Sequence, residues 1–138
     1  MYIYYLFIIN NNAYKIYKNN PKYLYEILNT LHRLKGNDLI YGINLYRNIC
    51  DIFSTQVLKN YINDKFYTRK HKDYIYLKNI SESTKLMIKY SRIIIISNKK
   101  IPNIFRIFNI YNKKIFVVDF KRNYYVWLNE LFNINKSI

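Results

Sequence analysis

Cysteine, glycine and proline are nearly absent from this 138-residue chain, which has one Cys, two Gly and two Pro. A single thiol, Cys50, excludes an internal disulfide framework and a cysteine metal cluster, and suits a reducing compartment such as the cytoplasm. Gly36 and Gly42 are too few for a phosphate-cradling P-loop or a dinucleotide fingerprint. Acidic residues are scarce too, eight against 23 Lys and Arg, for a formal net charge of +15. Long apolar runs are missing as well. The opening MYIYYLFII stops at Asn10, Asn11 and Asn12, well short of the roughly 20 residues a membrane-spanning helix needs. It also lacks the basic start and small-residue cleavage site of a secretory signal. A buried first strand is expected there, and no membrane partner.

What the chain does have is apolar and aromatic mass, 51% and 19% of residues, which excludes intrinsic disorder despite the charge. Residues 1–138 suit one domain with its own core. Ile, Asn, Lys, Tyr and Phe make up about three-fifths of the sequence. A/T-rich codons favour these residues, so codon usage and function are both available explanations of the lysine excess. Seventeen tyrosines exceed what one core satisfies, because each buried hydroxyl needs a partner. Some are therefore expected at the surface, where tyrosine suits protein interfaces.

Residues 2–9 are rich in Tyr, Ile and Phe and read as a strand. The Asn triplet ends it and caps a short helix over roughly 12–18. Asn20-Pro21 opens a second helix with the stripe Leu24, Ile27, Leu28 and Leu31, closed by Gly36. Asp38 caps a third, with the stripe Leu39, Ile43, Tyr46, Cys50 and Phe53, and Ser54 a fourth, with Val57, Leu58, Tyr61 and Ile62. TRKHKD after Tyr67 reads as an exposed connection. Strands are expected at Tyr74–Leu77, Lys85–Lys89 and Arg92–Ser97, with Tyr90-Ser91 as a tight connection. The unbroken run Ile93–Ile96 suggests a strand covered on both faces. A helix from Pro102 to Tyr111 precedes IFVVDF and YYVWL, which flank Lys121, Arg122 and Asn123 as a closing hairpin. The pattern is α+β, a mainly antiparallel or mixed sheet of about five strands with an N-terminal strand, a helical segment and a C-terminal hairpin.

A catalytic or metal constellation does not emerge. His32 and His71 are far apart in sequence, Cys50 falls on an apolar stripe, and no two carboxylates frame a polar site. Neither catalysis nor a cofactor nor a bound metal is expected. Basic clusters stand at Arg69–Lys72, Lys99-Lys100, Lys113-Lys114 and Lys121-Arg122. A crossover from the Arg92–Ser97 strand through the helix to IFVVDF would bring the first and last Lys/Arg doublets to one sheet end, as a patch for phosphate. A basic nucleic-acid-binding module is therefore the alternative reading, set against solvated loops.

Two stretches resemble the SirA family, the sporulation inhibitors of replication of low-GC Gram-positive bacteria. One is YYLFII followed by AYKIYKNNP. The other is DYIYL, LMIKYSRIIIIS, a helix and IFVVDFKRNYYVWL, in which Asp119-Phe120, a basic turn and Trp127-Leu128 are the most distinctive. The resemblance implies a small, non-catalytic cytoplasmic protein that binds the N-terminal domain of the replication initiator DnaA. It places the contact on aromatic residues of the first helix. Tyr17 matches one such position. Ala13 stands where the family carries phenylalanine, with Tyr14 next to it as a replacement ring. It also points to the segment containing Asp38 and Tyr41. A monomer is expected, with direct nucleic-acid binding secondary.

Overall fold

The computed structural model describes residues 1–36, 38–78, 81–89 and 91–132. At its centre is β1 (Tyr2–Ile9). Along Leu6–Ile9 every side chain is buried, as expected of a strand covered on both faces. Asn10 then turns the chain into α1 (Asn11–Tyr17), its Oδ1 accepting from the Ala13 amide at 2.8 Å. α2 (Pro21–Arg33) buries Leu24, Tyr25, Leu28 and Leu31. Gly36 follows the end of α2 with φ +64°, the left-handed region that glycine enters without a Cβ penalty.

α3 (Asp38–Ile49) is shorter than its apolar stripe suggested. At Cys50 the backbone leaves the helix and β2 (Cys50–Asp51) pairs antiparallel with the end of β1, Ile9 opposite Cys50. Cys50 and Phe53, expected on one helical face, thus enter cores on opposite sides of the sheet. Gly42 allows a close approach of helices, since a Cβ there would lie 2.8 Å from Leu34 Cδ1. α4 (Thr55–Lys65) follows and buries Leu58 and Ile62.

The remaining strands are β3 (Tyr67–His71), β4 (Tyr74–Lys78), β5 (Ser83–Ile88), β6 (Ile93–Ser97), β7 (Ile115–Asp119) and β8 (Tyr124–Trp127), with α5 (Ile104–Tyr111) between β6 and β7. The path through the sheet is β3-β4-β5-β6-β1-β7-β8, with β2 off it on β1. Every pairing is antiparallel. The fold is α+β, with eight strands among the described residues rather than about five.

Two corrections have physical causes. TRKHKD is mostly β3, not a connection: its backbone is satisfied by β4, and as an edge strand it tolerates a polar sequence. The run Ile93–Ile96 is covered on one face only, because Ile93 and Ile95 are buried while Ile94 and Ile96 are half-buried. The proposed tight connection at Tyr90-Ser91 falls partly on Tyr90, outside the described residues. Lys89 donates to the Arg92 carbonyl at 2.9 Å and closes that hairpin.

Helices α1, α2 and α3 cover one face over β1, β7 and β8, around Phe7, Phe116 and Trp127. α4, α5 and a 3-10 turn (Leu128–Phe132) cover the other, around Leu6, Leu86, Phe105 and Phe108. Each such side chain contributes about 1.5–3 kcal/mol by leaving water. Among the described residues no helix is long and apolar enough to cross a membrane.

Candidate functional site

α1 has only seven residues, too few to persist alone in water, so tertiary contacts hold its aromatic residues in place. The Asn10 amide donates from Nδ2 to the Asn48 carbonyl at 2.7 Å and ties the start of α1 to the end of α3. Ala13 is buried against the sheet, so its methyl is no part of the surface. Tyr14 sets its ring edge-on to Trp127, with centroids 4.9 Å apart. Trp127 Nε1 donates to the Lys18 carbonyl at 3.2 Å, at the end of α1.

Tyr17 is half-buried and opens outward. With Tyr23, Glu26, Ile27 and Thr30 it lines a hollow of about 340 Å³ between α1 and α2. Tyr23 is 61% exposed, and Ile16, the residue before Tyr17 in α1, 62%. Lys15, Lys18 and Lys22 are exposed on the same two helices. The result is a surface of aromatic and aliphatic side chains that also carries the Glu26 carboxylate, with exposed lysines nearby in sequence. Sequence reasoning missed Tyr23, which stands beside Lys22 on the outward side of the amphipathic helix. Its pairing with Tyr17 depends on how α1 and α2 fold back on each other.

Asp38 is exposed at the first residue of α3, and Tyr41 stands three residues on in the same helix. Gly42 meets Leu34, so this turn lies against the C-terminal end of α2. Tyr23 belongs to the opposite end, 11 residues or about 16 Å away along the helix. The structure brings Tyr17 and Tyr23 together at the hollow, sets Tyr14 against Trp127, and starts α3 at Asp38, by the far end of α2 from Tyr23.

The basic clusters divide between the two ends of the sheet. β6 and β7 flank β1, each antiparallel to it, so they run parallel to one another with β1 between. Lys99-Lys100 and Lys121-Arg122 thus share one end, as the crossover required. Lys113-Lys114 and the β3–β4 turn lie at the other. At the first end Tyr2, Tyr4, Lys100, Asp119, Arg122 and Tyr124 enclose about 330 Å³. Its charges are partly committed: Arg122 Nη1 lies 3.0 Å from the buried Asp119 carboxylate, and Lys99 Nζ 3.9 Å from buried Glu82. The Tyr4 hydroxyl donates to the Lys100 carbonyl at 2.6 Å, and burial pushes its pKa up to about 12.

Among the described residues no three His, Cys, Asp or Glu side chains converge as metal ligands. His32 stacks flat on Phe120, with centroids 4.1 Å apart. Burial lowers its pKa, and the Arg92 and Arg33 charges add to the effect. Burial pushes the Cys50 thiol up to about 12, and the thiolate is the reactive form. A thiol reagent at pH 8 is therefore expected to leave Cys50 untouched in the native protein and to label it fully in denaturant. Rapid native labelling would contradict its placement in the core.

No protein-family model matches the chain, and comparison with curated proteins gives no match.

Proposed function

We propose that this protein is a non-catalytic inhibitor of DNA replication initiation that binds the N-terminal domain of DnaA through α1 and α2. The observation that carries the reading is the exposed hollow in which Tyr17 of α1, the helix where the SirA resemblance puts the contact, meets Tyr23 of α2. Rigid aromatic anchors supply contact area at low entropic cost, and the fully desolvated ones dominate binding energy. The mechanism is occlusion. The aromatic surface covers an apolar groove on the initiator domain, while Lys15, Lys18 and Lys22 favour an acidic rim around it. The reading places the protein in the cytoplasm as a monomer, with Tyr17 and Tyr23 as anchors and Tyr14 supporting them from behind.

The test is a binding titration of the purified chain against the initiator's N-terminal domain, at moderate salt and with nuclease present. Tyr17→Ala is expected to weaken binding about thirtyfold or more, the usual cost of a central aromatic anchor. The same variant should unfold at close to the wild-type temperature, because Tyr17 is half-buried. Binding at wild-type strength in that variant would remove Tyr17 from the interface. No binding by the wild-type chain would sink the proposal.

A further inference from the structure

We propose that the open face of β3, β4, β5 and β6 is a platform for single-stranded DNA. In these strands burial alternates. Ile75, Leu77, Leu86, Ile93 and Ile95 are buried beneath α4 and α5, whereas their neighbours Tyr74, Tyr76, Lys85, Ile94 and Ile96 are only half-buried. The latter share the sheet face that α1, α2 and α3 cover further along, over β1, β7 and β8.

The register assembles this surface. Arg69 is opposite Tyr76, Tyr76 opposite Lys85, and Lys85 opposite Ile96. Directly opposed residues of an antiparallel pair point to the same face, so these four form a row across four strands. Lys85 Nζ lies 4.7 Å from the centre of the Tyr74 ring and 5.7 Å from that of Tyr76. The Arg69 guanidinium carbon is 5.8 Å from the Tyr76 ring centre. Aromatic rings and cations are therefore interleaved.

Charge complementarity selects the occupant. Among the described residues, no position of this face on β3, β4, β5 or β6 carries a carboxylate: they are Tyr67, Arg69 and His71, then Tyr74 and Tyr76, then Ser83, Lys85 and Met87, then Ile94 and Ile96. Glu82, the acid nearest in sequence to β5, is buried and accepts from the Thr84 hydroxyl. A polyanion that also offers flat apolar faces satisfies both halves of the surface. An unpaired strand does so, because its bases stack on aromatic rings while its phosphates meet Lys and Arg. A duplex hides its base faces. Three inter-strand spacings make the platform about 14 Å wide. Met87, Ile94 and Ile96 beside the rings offer the thymine methyl group an apolar contact that uracil lacks, which favours oligo(dT) over oligo(rU).

The site is separate from the α1–α2 hollow, so the two proposals fail independently. The experiment is fluorescence anisotropy with labelled oligo(dT), alongside a duplex of equal length, oligo(rU) and anionic phospholipid vesicles. Oligo(dT) should bind more tightly than the duplex and at least as tightly as oligo(rU), with log affinity falling linearly in log salt. Tyr74→Ala and Tyr76→Ala should each weaken it about tenfold, while Tyr76→Phe and Tyr17→Ala should bind as wild type. Lys85→Gln should flatten the salt dependence by about one phosphate contact. Equal binding of the duplex, preference for oligo(rU), binding to vesicles alone, or indifference to both alanine changes would overturn the platform. Should the alanine variants fail to fold, ultraviolet cross-linking of the wild-type chain to oligo(dT) decides: adducts within residues 67–96 support the proposal and adducts confined elsewhere refute it.

Discussion

Trp127→Ala is expected to destabilise the fold by about 3–5 kcal/mol, a large part of the 5–15 kcal/mol that holds a domain of this kind together. The indole is 3% exposed and stands between two rings, Phe116 at 4.8 Å and Tyr14 at 4.9 Å between centroids. Truncation removes the apolar burial and leaves a cavity whose walls, a β-strand and a short helix, collapse only in part. It also deletes the donor to the Lys18 carbonyl. That carbonyl lies just past the end of α1, where a helix has no internal partners to offer.

The consequence reaches the candidate interface before it reaches global unfolding. α1 is held by the Asn10 cap, by Ala13 and Tyr14 against the sheet, and by Trp127. Removing Trp127 takes away both the ring under Tyr14 and the anchor at Lys18, so Tyr17 loses its fixed position over α2. Urea denaturation should show a lowered midpoint with an unchanged slope. Hydrogen exchange in α1 should rise towards the rate of local opening. Trp127→Phe separates the contributions, keeping a ring but no N–H, and should lose about 1–2 kcal/mol. A Trp127→Ala protein within 1 kcal/mol of wild type would mean that the sheet edge at β8 does not carry α1.

How much of this was legible depends on whether local pattern and tertiary environment agree. The apolar segments Leu6–Ile9 and Ile115–Val118 are buried strands because a central strand is covered on both sides. α2 and α5 show their stripes at helical spacing, and Asn10 is a capping residue by its chemistry. β3 was hidden because an edge strand draws its stability from backbone bonds to β4, which leaves YTRKH free to be polar. Helix α3 was overextended because Cys50 and Phe53 continue the helical stripe, while pairing of β2 with Ile8 and Ile9 decides the backbone there. Ile93–Ile96 misled for a related reason. Isoleucine is apolar whether its face is covered or open, and only the positions of α4, α5 and the α1–α3 layer separate the two. At the candidate interface, Tyr17 was legible on its own helix. Tyr23 and Ile16 were not, since the hollow exists only after two helices meet. Nor does sequence distance reveal that the first turn of α3 lies against the C-terminal end of α2, the far end from Tyr23.

Arg122→Ala is expected to cost about 3 kcal/mol, although the guanidinium is half exposed and the obvious expectation for a surface ion pair is far less. The asymmetry lies in the partner. Asp119 has a side chain that is fully buried, while that of Arg122 is 45% exposed. Without Arg122 the carboxylate keeps the residue-122 backbone amide at 3.2 Å but loses the one cation paired with it among the described residues. The reverse change, Asp119→Asn, should cost less, because Arg122 can turn to solvent and an amide can still accept from the turn. Arg122→Lys should recover only part of the loss, since Arg122 acts through several donors at once. Nη1 reaches Asp119, Nη2 reaches the Met1 carbonyl, and the guanidinium carbon sits 4.7 Å from the centre of the Tyr2 ring. A single ammonium cannot copy that fork. Combining Arg122→Ala with Asp119→Asn should restore stability relative to Arg122→Ala alone, and equal losses in the single and double variants would refute the buried-charge explanation. The effect also extends beyond stability. The same turn places Asn123 at φ +53°, and Asn123 Oδ1 accepts from the Tyr25 hydroxyl of α2 at 2.8 Å. A turn released from Asp119 therefore loosens α2, and with it the side of the hollow that presents Tyr23 and Ile27. Weakened binding of the initiator domain by Arg122→Ala, at a temperature where the variant is still folded, would show that the Asp119–Arg122 pair sets the geometry of a surface it does not touch.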